Sequence, residues 1–159
     1  MIIIGFVCAI IIYPFLHEGG HALATVLLGG KCVAYNLLPL PYMICDATNI
    51  GTSELVAIGL SGILFPLFGS FVLQGKNFYV WFTRLILRGM IALSLIISLL
   101  VVVLRPFGIV APNDDITEIL HLWGGGTIWI GCGCLVLGVL MIVLIVKDKS
   151  IRKIVAQLA

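Results

Sequence analysis

The sequence predicts an all-α membrane protein with about four transmembrane helices and a hairpin or re-entrant loop after the first helix. Of its 159 residues, 62% are hydrophobic and only 10% are charged, and the mean hydropathy is +1.25. Soluble domains are nearer half apolar and a quarter charged. The apolar residues also gather into four stretches near the length of about 20 residues that a helix needs to cross a bilayer. We therefore expect residues 1–159 to form one integral membrane domain.

Four spans are predicted in chain order, at residues 2–28, 55–73, 85–104 and 128–146. The first is interrupted only by three ionisable residues near its middle, and the fourth could begin earlier, near Ile116. The amino terminus lacks the positively charged start and the small-residue cleavage site of a signal peptide, so we expect it to stay as a helix.

The first connection, residues 29–52, mixes polar and apolar side chains and contains two prolines. Because unpaired backbone groups cannot face lipid, we expect it to fold as a hairpin or re-entrant loop packed against the protein. Cys32 and Cys45 flank its proline-bearing part. A disulfide between them and two unpaired thiols both stay open.

The basic residues predict the orientation in the membrane. Seven of them lie in the second connection, in the first turns of the third span and in the tail, namely Lys76, Arg84, Arg88, Lys147, Lys149, Arg152 and Lys153. Only Lys31 and Arg105 lie on the opposite side. Since cytoplasmic loops carry the excess of Lys and Arg, we expect both termini in the cytoplasm and the chain in the cell membrane. The basic residues do not form a stripe or cluster of the kind that binds nucleic acid, so we expect no nucleic-acid partner.

Residues 17–21, His-Glu-Gly-Gly-His, carry the pattern of a metal site. Histidines four residues apart lie one above the other on a helix, so both imidazoles can reach one ion. Glu18 projects beside them, where it can act as a general base. A hydrogen-bonded polar cluster between helices is the alternative, but ionisable groups within a span are costly and usually mark function. The motif therefore predicts zinc ligands at His17 and His21.

A zinc site needs at least one more protein ligand and an open position for water. Asp114 and Asp115 lie in Pro-Asn-Asp-Asp, just before the fourth span. The predicted topology places them on the same side of the membrane as the carboxyl-terminal half of the first span. Geometry therefore permits a site formed by His17, His21 and either aspartate.

Residues 17–30, which read His-Glu-Gly-Gly-His-Ala-Leu-Ala and then Leu-Leu-Gly-Gly after two residues, resemble the site-2 protease family of intramembrane zinc metalloproteases. That family takes its third ligand from an aspartate near a later helix, and Asn113-Asp114 is similar to that motif. The resemblance implies Asp114 as the third ligand, with Asp115 as the second choice.

The chain departs from the family in its proline-containing motif. Many members carry Asn-x-x-Pro-x-Pro leading into a Leu-Asp-Gly ligand motif. Here Asn36-Leu-Leu-Pro39-Leu-Pro41 follows the first helix directly, and Leu-Asp-Gly is absent. The next acid is Asp46, which is therefore a further alternative for the third ligand.

The resemblance implies one zinc ion per chain and hydrolysis of a peptide bond in or near a transmembrane segment of another membrane protein. Glu18 would take the proton and return it to the leaving amine, and Asn113 or Asn49 would help zinc to stabilise the oxyanion. A metal transporter and a non-catalytic metal-binding subunit are the alternatives. The sequence does not predict an oligomeric state.

Overall fold

The computed structural model describes residues 2–36, 42–46, 48–75, 77–109, 115–123, 126–148, 151, 154 and 156. Within these residues the α-helices are α1 (Ile2–Val7), α2 (Tyr13–Leu27), α3 (Thr52–Val72), α4 (Phe78–Leu104), α5 (Asp115–Trp123) and α6 (Thr127–Lys147). A π-helical turn joins α1 to α2, and a 3-10 turn follows α4, at Cys8–Ile12 and Arg105–Phe107. Two strands lie between α2 and α3, β1 at Lys31–Asn36 and β2 at Tyr42–Asp46.

The predicted all-α membrane fold is confirmed. Within the part of the chain that the structure describes, four helical segments are long and apolar enough to cross a membrane: Ile3–Leu27, Thr52–Val72, Phe78–Phe107 and Thr127–Lys147. The third begins earlier than position 85, because the Asn77 side chain caps it by accepting a hydrogen bond of 2.9 Å from the Val80 backbone N–H. The fourth begins at Thr127, since α5 forms a helix of its own.

The first span changes its winding just before the metal motif. Pro14 lies in the first turn of α2, directly after the π-helical turn. Proline has no backbone N–H to donate to the preceding turn, and a local π-helical turn accommodates the lost hydrogen bond. The chain therefore enters the segment that carries His17 and His21 through a wider turn than a regular helix would give.

Helix α4 lies at the centre of the bundle and packs against α3, α5 and α6. Its Leu87 and Ile91 are completely buried, and Leu95 is nearly so. Ile116 of α5 and Met141 of α6 complete the same core cluster. The core therefore fixes α5, the short connecting helix, against the spanning helices.

Helices α2 and α3 lie in close contact at Gly20. A Cβ atom there would overlap the Ser61 carbonyl oxygen and lie 2.8 Å from the Cβ of Phe65. The neighbouring Gly19 has nothing within 4 Å of an added Cβ. In lipid, small residues let helix backbones come together, so Gly20 sets the distance between the two helices and Gly19 does not.

We expect Gly20→Ala to destabilise the protein by about 1–3 kcal/mol, because the new methyl group must push α3 away from α2. The matched control Gly19→Ala should be neutral or stabilising by about 0.5–1 kcal/mol, since alanine costs less conformational entropy in a helix. Thermal unfolding of both variants in the same detergent measures the difference. Equal melting temperatures would show that the two helices do not need this contact.

The connection between α2 and α3 forms the predicted hairpin. Strands β1 and β2 pair antiparallel, with Lys31 opposite Asp46 and Cys32 opposite Cys45. The Tyr35 hydroxyl donates a hydrogen bond of 3.0 Å to the Phe15 carbonyl, which holds β1 against α2. The hairpin is thereby attached to the helix that carries the metal motif.

Two arginines of α4 hold the end of α6. Arg84 donates two hydrogen bonds of 3.0 Å to the two carboxylate oxygens of Asp148, and Arg88 donates one of 2.6 Å. The Arg88 guanidinium also lies 5.7 Å from the ring centroid of Phe71 on α3. These contacts join α3, α4 and α6 at the end of the bundle that the charge pattern assigns to the cytoplasm.

Candidate metal centre

The structure brings two histidines of α2 and the first residue of α5 together. The Nε2 atoms of His17 and His21 lie 3.0 Å and 3.2 Å from Oδ2 of Asp115. The two Nε2 atoms are 3.3 Å apart. Three ligand atoms from three side chains thus converge, and this group could hold a metal ion.

A backbone carbonyl of α3 fixes the orientation of His21. Its Nδ1 lies 2.8 Å from the Ile58 carbonyl oxygen. A carbonyl oxygen can only accept, so Nδ1 must carry the proton of this bond. The other ring nitrogen, Nε2, lies towards Oδ2 of Asp115 and is the one that would bind a metal ion, since metal-binding histidines usually donate their second ring N–H to a carbonyl or carboxylate. The side chain is also only 8% exposed, so its rotamer is held by packing.

Gly62 of α3 lies directly against both imidazoles. A Cβ at this position would be 2.5 Å from Cε1 of His21 and 2.8 Å from Cε1 of His17. The residue one turn away, Ile58, supplies the carbonyl that holds His21. No sequence signal marked Ile58. Ser61-Gly62 with Pro66 is similar to a small-residue and proline pattern in the middle helix of the site-2 protease family, but the sequence assigned Gly62 no role at the histidines.

The charge state of the Asp115 carboxyl group suits a metal ligand. Its partial burial acts to raise the pKa of the carboxyl group, but hydrogen bonding and charge interaction with His17 and His21 outweigh that effect. The pKa of Asp115 is therefore held below its ordinary value. The group is ionised at neutral pH, and its charge would partly neutralise a divalent ion.

Two cavities border the candidate metal centre. One, of about 320 Å³, is lined by Tyr13, by Ser94 and Ser98 of α4, and by apolar side chains of the spanning helices. The other, of about 690 Å³, lies between β2, α3 and α5. Glu18 and Asp115 line both cavities. Glu18 does not belong to the group of converging ligands, and it lies in the walls of both cavities.

The candidates for the third metal ligand differ in where they lie relative to the two histidines. Asp115, the second choice, is the aspartate that the structure places at the histidines. Asp114 and Asn113 lie outside the described residues, so their roles stay predictions.

The two predicted site residues of the first connection lie away from the histidines. Asp46 is exposed on β2 and accepts hydrogen bonds of 2.9 Å and 3.2 Å from the hydroxyl and backbone N–H of Thr48. These bonds lower the pKa of Asp46. Asn49 lies in an exposed turn before α3. The structure therefore brings neither residue to the group of three ligand atoms.

Comparison of the chain with protein-family models, with curated proteins and with solved structures gave no match in any of the three. The resemblance to the site-2 protease family therefore rests on the motif residues alone and stays a prediction. Any function assigned to the chain has to come from the donor atoms and cavities of this site.

Proposed function

We propose that this chain is an intramembrane zinc metalloprotease that hydrolyses a peptide bond in or near a transmembrane segment of another membrane protein. One observation carries the proposal. His17, His21 and Asp115 present three ligand atoms to one point, while Glu18 lies beside them and is not part of the ligand group. Metal binding alone would not require that fourth ionisable group inside a membrane span.

The donor set and its spacing support zinc. Catalytic zinc sites take three protein ligands, commonly imidazole nitrogen and carboxylate oxygen, and leave one position open. With bond lengths of about 2.0–2.1 Å in a tetrahedron, neighbouring ligand atoms are about 3.3 Å apart. The three distances here are 3.0, 3.2 and 3.3 Å. His17, His21 and Asp115 would therefore hold one zinc ion per chain without a large rearrangement.

Each residue of the site has its own role in the proposed hydrolysis. Zinc, when bound, supplies a Lewis acid that polarises the scissile carbonyl and makes water more acidic. Glu18 accepts the proton from the attacking water and passes it to the leaving amine. The Ile58 carbonyl keeps the Nδ1 proton of His21 in place, so that Nε2 would be the nitrogen that binds the ion. Asp115 contributes the negative charge of the site.

The two cavities favour an extended peptide as the substrate. A helix with its side chains is about 10–12 Å wide, and its carbonyls are already hydrogen-bonded, so the substrate must unwind before attack. Met90, Leu93 and Ile97 of α4 line the smaller cavity, and they belong to a membrane-spanning helix. An unwound apolar segment that lay along these cavities would have its scissile bond beside Glu18, which lines both.

Removal and return of the metal test the proposal. Protein purified in detergent is expected to contain about one zinc per chain and to cleave a membrane-protein substrate. Chelation should abolish cleavage, and added zinc should restore it, because the histidines and Asp115 alone cannot polarise the carbonyl. Metal content by mass spectrometry and cleavage by gel follow the same samples. Metal-free protein that cleaves at the original rate would rule out this function.

A further inference from the structure

The hairpin holds two thiols directly opposite each other. Cys32 of β1 and Cys45 of β2 are partners in the antiparallel register, and both are free thiols. Side chains of directly opposed residues point to the same face of a sheet, with Cβ atoms about 4.5–5.5 Å apart. Cys32 is exposed and Cys45 is partly buried, so a dissolved reagent can reach the pair.

The register next to this pair is irregular. A shift lies between Cys32 and Ala34, so that Val33 is an extra residue on β1. Such a bulge interrupts the ladder and increases the local twist. A disulfide needs Cβ atoms about 3.5–4.5 Å apart, so the strands must approach by about 1 Å. The Cys32 thiol donates a weak hydrogen bond of 3.7 Å to the Ala34 carbonyl, and rotation about its Cα–Cβ bond releases it.

The same hairpin forms a wall of the metal centre. Cys45 lines the larger cavity together with Glu18, His21 and Asp115. The hydrogen bond from Tyr35 attaches β1 to α2 two residues before the metal motif. A covalent link between the strands therefore acts on a wall of that cavity and not on a remote loop.

We propose that Cys32 and Cys45 form a reversible dithiol site that a small-molecule disulfide, such as oxidised glutathione, converts into an intramolecular disulfide. One cysteine thiolate attacks the small disulfide, forms a mixed disulfide and releases one thiol. The other thiolate then attacks the cysteine sulfur of the mixed disulfide and releases the second thiol. Two protein thiols are oxidised, one small disulfide is reduced to two thiols, and the cysteine protons pass to the released thiolates. The inference holds whether or not the chain is a protease.

Incubation of the purified full chain with oxidised glutathione tests this proposal. The expected result is a loss of the Cys32 and Cys45 thiols and a peptide pair linked through these residues in a non-reducing digest. Backbone hydrogen exchange of β1 and β2 should slow in the oxidised protein, since the bond holds the two strands together. A reducing agent should reverse both changes.

Moving one thiol by a single residue gives the matched control. The double change Cys45→Ser with Ile44→Cys keeps the number of thiols and places the new one on the opposite face of β2, because side chains alternate along a strand. This variant should carry glutathione on both hairpin cysteines and yield no linked peptide. Equal linkage in both proteins, or glutathione on both cysteines of the unchanged chain without a link, would overturn the proposal.

Discussion

Changing Glu18 to Gln is expected to leave the zinc in place and to lower cleavage by about 10²-fold or more. Glu18 lines both cavities but is not one of the three converging ligand atoms. Glutamine keeps nearly the same shape and cannot accept the proton of the attacking water. Zinc per chain and initial cleavage rates, measured on the same preparation, separate the two effects.

Two further variants serve as a positive and a negative control for Glu18→Gln. His17→Ala should lose metal and cleavage together, because its Nε2 is one of the ligand atoms. Glu118→Gln is the matched control, since this exposed carboxylate of α5 lines the same larger cavity but does not belong to the ligand group. Wild-type cleavage by Glu18→Gln would end the proposed mechanism. Loss of zinc in that variant would instead make Glu18 a ligand and favour a metal-binding subunit or a transporter.

Asp115→Asn is expected to weaken zinc binding by about 100-fold or more, since loss even of a residue that only orients a ligand costs about 10–100-fold. The change removes both the anionic ligand and the negative charge that faces His17 and His21. Cleavage should fall with the metal and should recover in part at high zinc concentration. Competition with a chromophoric chelator measures the affinity directly.

Two other aspartate variants are the controls for Asp115→Asn. Asp114→Asn alters the adjacent residue, and Asp46→Asn alters the exposed carboxylate that is bonded to Thr48. Both should keep most of the zinc if Asp115 is the ligand. If the Asp114 variant lost the metal while the Asp115 variant still bound it, the third ligand would be Asp114, the residue that the sequence favoured.

The sequence could predict the helices and the histidine pair because both depend on local periodicity. Span length follows from the length of an apolar run. The spacing of His17 and His21 brings their imidazoles to one face of any regular helix. Those features need no knowledge of how the helices are arranged.

The remaining parts of the site depend on tertiary structure. The choice between Asp114 and Asp115 depends on how the preceding connection turns and where α5 begins, and a one-residue shift rotates a side chain by about 100°. The Ile58 carbonyl is a backbone group, so no residue pattern marks it. Gly62 is required only because two imidazoles pack against it, and its sequence position alone does not show that contact.

The separation of the candidate ligands along the chain has consequences for how the protein is made. His21 and Asp115 are 94 positions apart, with the helices α3 and α4 between them in the chain. A growing polypeptide that ends before position 115 already has both imidazoles, on α2, but lacks this carboxylate. Because metal binding is coupled to formation of the folded site, synthesis and membrane insertion of α3 and α4 must precede assembly of this centre. If the chain is the proposed protease, it therefore lacks a complete zinc site, and with it the proposed activity, until residue 115 has been made.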